Sequence, residues 1–213
     1  MTLHEHPRDR SGFRPPSAGG NRDTSTSAPE EPARDAADTS LRAVPAALFA
    51  SLRLVTGFVF LWAFLDKAFG LGYSTASGRG WVDGGSPAKG FLGSVAAGPM
   101  ESTFHDWAGA GWTDWLFMLG LLGVGLAVTA GVALWPAALA GTVLMAMMWL
   151  AEWPPAKHLS DGAPSMSSNP FADYHLVYAL VLIVLAAAGA GATWGLGRLW
   201  NRLPLVRDHA WLH

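Results

Sequence analysis

Residues 45 to 69 read Pro45-Ala-Ala-Leu-Phe-Ala-Ser-Leu-Arg-Leu-Val-Thr-Gly-Phe-Val-Phe-Leu-Trp-Ala-Phe-Leu-Asp-Lys-Ala-Phe69. About 20 apolar residues are enough for a helix to cross a bilayer, so this segment predicts a membrane-spanning helix. Its charged residues are Arg53, Asp66 and Lys67. On insertion scales a guanidinium near the middle of a span costs about 2.5–3.5 kcal/mol. Arg53 therefore requires a partner or a watery cavity within a helical bundle.

The composition supports an integral membrane protein. Hydrophobic residues make up 51% of the chain and charged residues 14%, whereas soluble domains average about 25% charged residues. Further apolar segments predict spans over residues 114–134, 136–152 and 171–196, with a break at Trp135-Pro136 between the first two. The predicted fold is an all-α, four-helix transmembrane bundle that occupies residues 44–200.

The two ends of the chain differ from this bundle. Residues 1–43 are rich in Pro, Ser, Thr and Gly with mixed charges, which predicts a disordered tail, and residues 201–213 form a short basic tail. Basic residues flank the first and last spans, which predicts a multi-pass plasma-membrane protein with both termini cytoplasmic. The loops 70–113 and 153–170 then face outward. The chain has no cysteine, which excludes disulfide and thiol-exchange chemistry.

This topology brings ionisable side chains to the outer ends of the helices. The predicted group consists of Asp66, Lys67, Glu152, Asp173 and His175. His175 is the candidate proton carrier, since imidazole titrates near neutral pH. Asp173 fits either a functional role or favourable electrostatics near a helix N-terminus. In Asn169-Pro170 the pattern predicts an N-cap followed by the first helical residue.

Arg53 and Lys67 are separated by 14 residues, about 20 Å along a helix, and return to nearly the same helix face. We therefore expect both cations to line one interior groove, and we include Arg53 with the outer group as a candidate catalytic set. No pair of His or acidic residues has metal-ligand spacing, so the sequence predicts no metal site. Small residues recur every four positions, as at Gly123, Ala127 and Gly131, which favours close helix packing and also suits a homodimer face.

Two motifs carry a resemblance to a known family. The first is Arg53-Leu-Val-Thr-Gly-Phe-Val-Phe-Leu-Trp-Ala-Phe-Leu-Asp-Lys67, and the second is Asn169-Pro-Phe-Ala-Asp-Tyr-His175, followed by the glycine-rich segment 189–197. Together with a glycine-rich second span they resemble the DoxX family of small four-helix membrane proteins. The resemblance covers about residues 48–198. It implies a link to membrane redox complexes and places Arg53, Lys67, Asp173 and His175 on characteristic positions of the family.

The leading hypothesis is a quinone-linked redox component, an oxidoreductase subunit acting at the outer face of the membrane. A quinone ring would stack on Trp62, Phe64 or Trp149, and His175 with Asp173 or Glu152 would deliver protons. The chain itself shows no cofactor motif, so electron transfer needs direct contact with a donor or a partner redox subunit. The alternatives are a non-enzymatic scaffold that docks a redox or stress enzyme and a carrier of small anions. No nucleic-acid partner is expected.

Overall fold

The computed structural model describes the backbone of residues 31–212 and the side chains of residues 45–209, 211 and 212. In this part of the chain all regular elements are helices and no strand is formed. The α-helices are α1 (Glu31–Phe69), α2 (Lys89–Gly93), α3 (Glu101–Trp107), α4 (Gly111–Ala130), α5 (Leu134–Glu152), α6 (Tyr174–Ala187), α7 (Gly197–Trp200) and α8 (Pro204–Arg207). Short 3-10 helices cover Trp81–Asp83, Ala190–Ala192 and Ala210–Leu212.

Three of these helices are long and apolar enough to cross a membrane. They are the segment Pro45–Phe69 of α1 and the whole of α4 and α5. The first coincides with the predicted first span. The helix α6 is apolar but has 14 residues, about 21 Å of helix, and is shorter than the predicted span 171–196.

The turn between α4 and α5 lies earlier than the sequence suggests. Gly131 ends α4 in the left-handed conformation, with φ 73°, which glycine adopts without a steric penalty. Leu134 begins α5, so Pro136 is its third residue rather than the point of the break. The predicted break is wrong by a few residues because a proline in the first helical turn costs no hydrogen bond.

The structure describes the two predicted terminal tails to different extents. Residues 1–30 of the N-terminal tail lie outside the described residues, and α1 begins at Glu31 and so includes residues 31–43. At the other end, the predicted tail 201–213 contains α8 and the last 3-10 helix, which packs against α5. The indole of Trp200 donates to the carbonyl of Leu212 at 2.7 Å. The residues after 200 therefore fold back onto the bundle.

Four helices form the bundle, in the order α1, α4, α5, α6. The helix α4 packs between α1 and α5, and α6 packs mainly against α5. Their shared core includes Phe60, Val124, Val128, Leu182 and Leu185. Large apolar side chains cover the outside as well; Leu116 and Leu139 are 67% and 70% exposed. An apolar exterior of this kind suits lipid rather than water.

Glycine sets the distance between α1 and α4. A Cβ atom on Gly57 would overlap Thr129, lying 2.7 Å from its backbone nitrogen. In contrast, a Cβ atom on Gly123 would meet no atom within 4 Å. The predicted stripe of small residues on α4 therefore does not face a neighbouring helix at Gly123. The close approach comes instead from Gly57 on the facing helix and from Gly125, which packs against Leu61.

The long loop between α1 and α4 folds back over one end of the bundle. Val95, which lies between α2 and α3, and Phe104 of α3 are buried in one cluster with Ala151 near the end of α5. The Asp114 carboxylate, in the first turn of α4, accepts a hydrogen bond from the Ala88 amide at 2.8 Å. This buried contact fixes the start of α2 to α4 and gives the end of the bundle a defined shape.

The substitution Gly57→Ala should lower the stability of the folded protein. The added methyl group meets backbone atoms of Thr129, which no side-chain rotation can relieve, and such overpacking costs about 1–3 kcal/mol. Thermal unfolding in detergent, followed by circular dichroism, measures the effect. The matched control is Gly123→Ala, which adds a methyl group in open space and should leave the unfolding temperature unchanged or slightly raised. Equal effects of the two substitutions would contradict the close approach of α1 and α4.

Candidate functional site

Arg53 is fully buried between the end of α4 and the segment that follows α6. Its guanidinium donates five hydrogen bonds to backbone carbonyls: to Val128 at 2.7 Å, to Thr129, to Ala190 at 3.1 Å, to Thr193 at 3.3 Å and to Trp194 at 2.9 Å. An arginine has five N–H donors, so all of them are used.

This position suits the cation electrostatically. The last carbonyls of a helix lack partners within the helix and carry the negative end of its dipole. Arg53 satisfies those of Val128 and Thr129 at the end of α4. Glycines make room for it, because Cβ atoms on Gly131 and Gly195 would lie 3.0 Å from its terminal nitrogens. Arg53 thus acts as a polar clamp between α4 and the segment after α6.

The expectation that Arg53 and Lys67 line one groove is wrong for Arg53. Arg53 has no exposed surface, and all its donors are engaged. Lys67 lies near the opposite end of α1, where it lines a cleft together with Arg79 and Lys89. The two cations therefore belong to different ends of the bundle, and Arg53 has no donor left for a ligand.

Asp66 lies next to Lys67 and is also buried. Its carboxylate accepts hydrogen bonds from the amides of Tyr73 and Ser74, at 3.2 and 3.0 Å, and from the Ser74 hydroxyl at 2.6 Å. The same hydroxyl accepts a hydrogen bond from the Lys67 ammonium at 3.1 Å. Asp66 therefore holds the chain as it leaves α1, and its carboxylate is occupied by that task.

The remaining predicted residues meet at the junction of α5 and α6. Asp173 is the N-cap of α6, and its Oδ1 accepts from the amides of His175 and Leu176. Its other oxygen lies 2.8 Å from Nδ1 of His175. Asp173 thus fills both roles that its position suggests, since it caps the helix and also orients an imidazole. Asn169 is not the N-cap; its side chain closes a turn by accepting from the amides of Phe171 and Ala172.

His175 is 1% exposed, and the two sides of its ring differ. The Asp173 carboxylate can only accept a hydrogen bond, so the proton of a neutral His175 resides on Nδ1. The second nitrogen, Nε2, is buried without a hydrogen-bond partner among the described residues. It lies 4.0 Å from Oε1 of Glu152, which itself accepts from the Tyr174 hydroxyl at 2.6 Å. A proton arriving on Nε2 would face Glu152, and the resulting imidazolium would have one carboxylate on each side of its ring.

This His175 cluster, consisting of Glu152, Asp173, Tyr174 and His175, adjoins a polar cleft of about 390 Å³. Glu152, Asp173 and Tyr174 line the cleft, and His175 lies behind them. Ligand atoms of Glu152, Asp173 and His175 lie within 4.8 Å of one another, so this group could hold a cation. In that arrangement Nε2 and Glu152 would be ligands, and Asp173 would orient the imidazole through Nδ1. The sequence placed these residues at one end of the bundle but predicted no metal site, because Glu152 comes from a different helix and the three show no ligand spacing along the chain.

The aromatic residues predicted to hold a quinone pack against different parts of the fold. Trp62 packs edge-to-face on Tyr73, and Phe64 packs against the main core. Trp149 packs on Trp153 and donates from its indole to the carbonyl of Phe171. An apolar cleft of about 340 Å³ exists elsewhere, between α4, α5 and the loop helices. Its walls include Phe91, Trp112, Leu116, Gly120, Val143 and Met148.

Comparison of the chain with protein families, with curated proteins and with solved structures found no match. The resemblance to the DoxX family therefore rests on the sequence motifs alone. The arguments about function that follow rest on those motifs and on the geometry of this chain.

The substitution Arg53→Lys should destabilise the protein although it keeps the positive charge. Lysine has three donors on a single nitrogen and cannot reach the carbonyls of both chain segments. Each buried carbonyl that loses its partner costs about 1–3 kcal/mol, so we expect a loss of about 3 kcal/mol or more. Thermal unfolding in detergent would measure it. The control Arg198→Lys changes an exposed arginine near the same end and should have no effect. A wild-type unfolding temperature for Arg53→Lys would refute the clamp.

Proposed function

We propose that this chain is a DoxX-like integral membrane protein that acts as a quinone-linked redox component of the plasma membrane. The observation that carries the proposal is the His175 cluster, in which an imidazole nitrogen is buried without a partner among the described residues while Glu152, Asp173 and Tyr174 beside it line a cleft between α5 and the loops. The resemblance in sequence motifs supports the redox context. The chemistry is assigned to this cluster and not to Arg53.

The proposed topology has four spans, α1, α4, α5 and α6, and both termini in the cytoplasm. The apolar exterior of α6 supports its place in the membrane, since Val177 and Leu180 are more than half exposed. The 3-10 helix Ala190–Ala192 lengthens the apolar segment beyond α6. Tryptophans near both ends of the bundle, such as Trp115 and Trp135, fit the aromatic belts found at membrane interfaces. The His175 cluster then lies at the outer face.

The apolar cleft is the proposed quinone site. Its volume lies within the range of small-molecule pockets, about 300–1,000 Å³, and its walls are apolar and aromatic. Leu116 and Val143 on its rim are more than half exposed on the surface assigned to lipid, so a quinone could enter from the bilayer. Phe91 lines both this cleft and the polar cleft beside the His175 cluster. The ring and the proton carrier would thus lie on two sides of one phenylalanine.

The role of the cluster follows from the reaction. Reduction of a quinone to a quinol adds two electrons and two protons. In this proposal a partner redox subunit supplies the electrons, and the protons pass through the cluster. His175 accepts a proton on Nε2, where Glu152 and Asp173 stabilise the imidazolium, and then releases it toward the ring. Tyr174 holds Glu152 in place through its hydroxyl.

Quinone binding to the purified protein in nanodiscs tests the site. A Cβ atom on Gly120 would have its nearest neighbour, Leu144, at 3.9 Å, so Gly120→Leu fills the cleft without a backbone clash. We expect this substitution to weaken binding at least about tenfold, because the ring loses most of its contact area. The control Gly123→Leu adds the same side chain on the outer surface and should bind like wild type. Equal binding by both variants would show that the quinone does not bind in this cleft.

Proton delivery is tested separately. In His175→Gln the cleft is intact but the proton carrier is lost, so quinone should bind within about twofold of wild type while its reduction slows about 10²-fold or more. Stopped-flow absorbance after addition of a soluble reductant measures the rate. His158→Gln, at an exposed histidine of the same outer region, is the control and should retain the wild-type rate. An unchanged rate in His175→Gln would exclude the cluster from proton delivery.

A second function is favoured by Arg53. All donors of Arg53 are used by backbone carbonyls, so Arg53 contributes only to the register of the helices and to the stability of the bundle. This is the role expected of it in a non-enzymatic scaffold. The two proposals make different predictions in the binding experiment. A wild-type protein that is well folded but binds no quinone would support the scaffold and overturn the redox proposal.

A further inference from the structure

A third cleft, at the outer end of the bundle, is lined by three cationic side chains. Its volume is about 870 Å³, and its walls carry Lys67 from the end of α1, Arg79 from the loop and Lys89 from the start of α2. Hydroxyl groups of Ser74 and Ser86 also line it. We refer to this feature as the cationic cleft. It is distinct from the polar cleft beside His175.

None of the three cations forms a salt bridge among the described residues. Among the side chains that the structure describes, no carboxylate oxygen lies within 4.0 Å of a charged nitrogen of Lys67, Arg79 or Lys89. Asp66 directly precedes Lys67 in sequence and attracts its charge, but the Asp66 oxygens accept hydrogen bonds from Tyr73 and Ser74. The hydroxyl of Ser86 is buried and has no hydrogen-bond partner within the part of the chain that the structure describes. The cleft thus presents positive charge together with a polar group that lacks a partner.

The walls of the cationic cleft are partly apolar. Phe91, Phe117 and Met148 line it, and the same three residues line the apolar cleft. Tryptophans cluster at this end of the bundle. The ring centroids of Trp81 and Trp115 are 4.6 Å apart, and those of Trp107 and Trp112 are 5.3 Å apart. Such tryptophans lie at the level of lipid headgroups in membranes. The cationic cleft therefore combines headgroup depth, positive charge and an apolar wall.

We infer that the cationic cleft binds the phosphate group of an anionic membrane lipid. The guanidinium of Arg79 matches phosphate oxygens in geometry, and lysines bind phosphate as point charges. The hydroxyl of Ser86 supplies a further donor, and Phe117 and Met148 contact the first carbons of the lipid chains. This inference rests on the membrane placement of the bundle and does not require that a quinone bind in the neighbouring apolar cleft.

Native mass spectrometry of the detergent-purified protein, with added phosphatidylglycerol, tests the inference. A Lys or Arg near an anionic surface contributes about 1 kcal/mol, so each single substitution Lys67→Gln, Arg79→Gln or Lys89→Gln should weaken lipid binding about fivefold, and the triple variant about a hundredfold. Lys157→Gln removes an exposed lysine of the other outer loop, outside this cleft, and should bind like wild type. Thermal unfolding of each variant confirms that it is folded.

Two further ligands separate the sources of phosphate. Phosphatidylcholine carries no net charge and should bind far more weakly than phosphatidylglycerol, and inorganic phosphate should compete only at much higher concentration because it lacks the apolar contact. Equal binding of phosphatidylglycerol by the triple variant and wild type would overturn the inference, as would equal binding of phosphatidylcholine. Inorganic phosphate that binds as tightly as the lipid would overturn the assignment to a lipid. Lipid binding without quinone binding would leave the inference intact and refute the proposed function.

Discussion

The hydrogen bonds between Arg53 and five backbone carbonyls are the constraint on which the bundle depends. They join the middle of α1 to the end of α4 and to the segment after α6, which are far apart in sequence. A guanidinium at this depth is unfavourable in lipid, so its burial is tolerable because each donor has an acceptor. The glycines beside it follow from the same constraint, because Cβ atoms at Gly131 or Gly195 would crowd its nitrogens.

This clamp gives the two ends of the bundle different properties. At the Arg53 end all five guanidinium donors are taken up by backbone carbonyls, and the side chain itself has no exposed surface. At the opposite end the loop helices leave clefts between themselves and α5. Fixing α1 at Arg53 also fixes the position of Lys67, about 20 Å farther along the same helix. The Arg53 clamp thereby holds in place the helices whose opposite ends carry the side chains that line the clefts.

The sequence predicted those features that depend on local composition. The first predicted span coincides with a helical segment of 25 residues that is long and apolar enough to cross a membrane. The gathering of Glu152, Asp173 and His175 was predicted from helix order and then found in the structure. The partners of Arg53 could not be predicted, because every residue has a backbone carbonyl and no side chain marks the five that are used. Arg79 and Lys89 were missed as site residues because they come from the long loop between α1 and α4. The fold of that loop places them in one cleft with Lys67.

The contrast between Arg53 and His175 shows which buried polar groups point to chemistry. Both were equally prominent in the sequence, and both are fully buried. Arg53 has a partner for every donor, so its burial is explained by stability alone. Nε2 of His175 has no partner among the described residues, and a buried polar atom without a partner costs about 1–3 kcal/mol. A fold that keeps this cost beside a cleft, while it orients the ring through Asp173, retains a nitrogen that is ready to bind a proton or a ligand. Ser86 is a comparable case, because its buried hydroxyl has no partner among the described residues and the residue lines the cationic cleft.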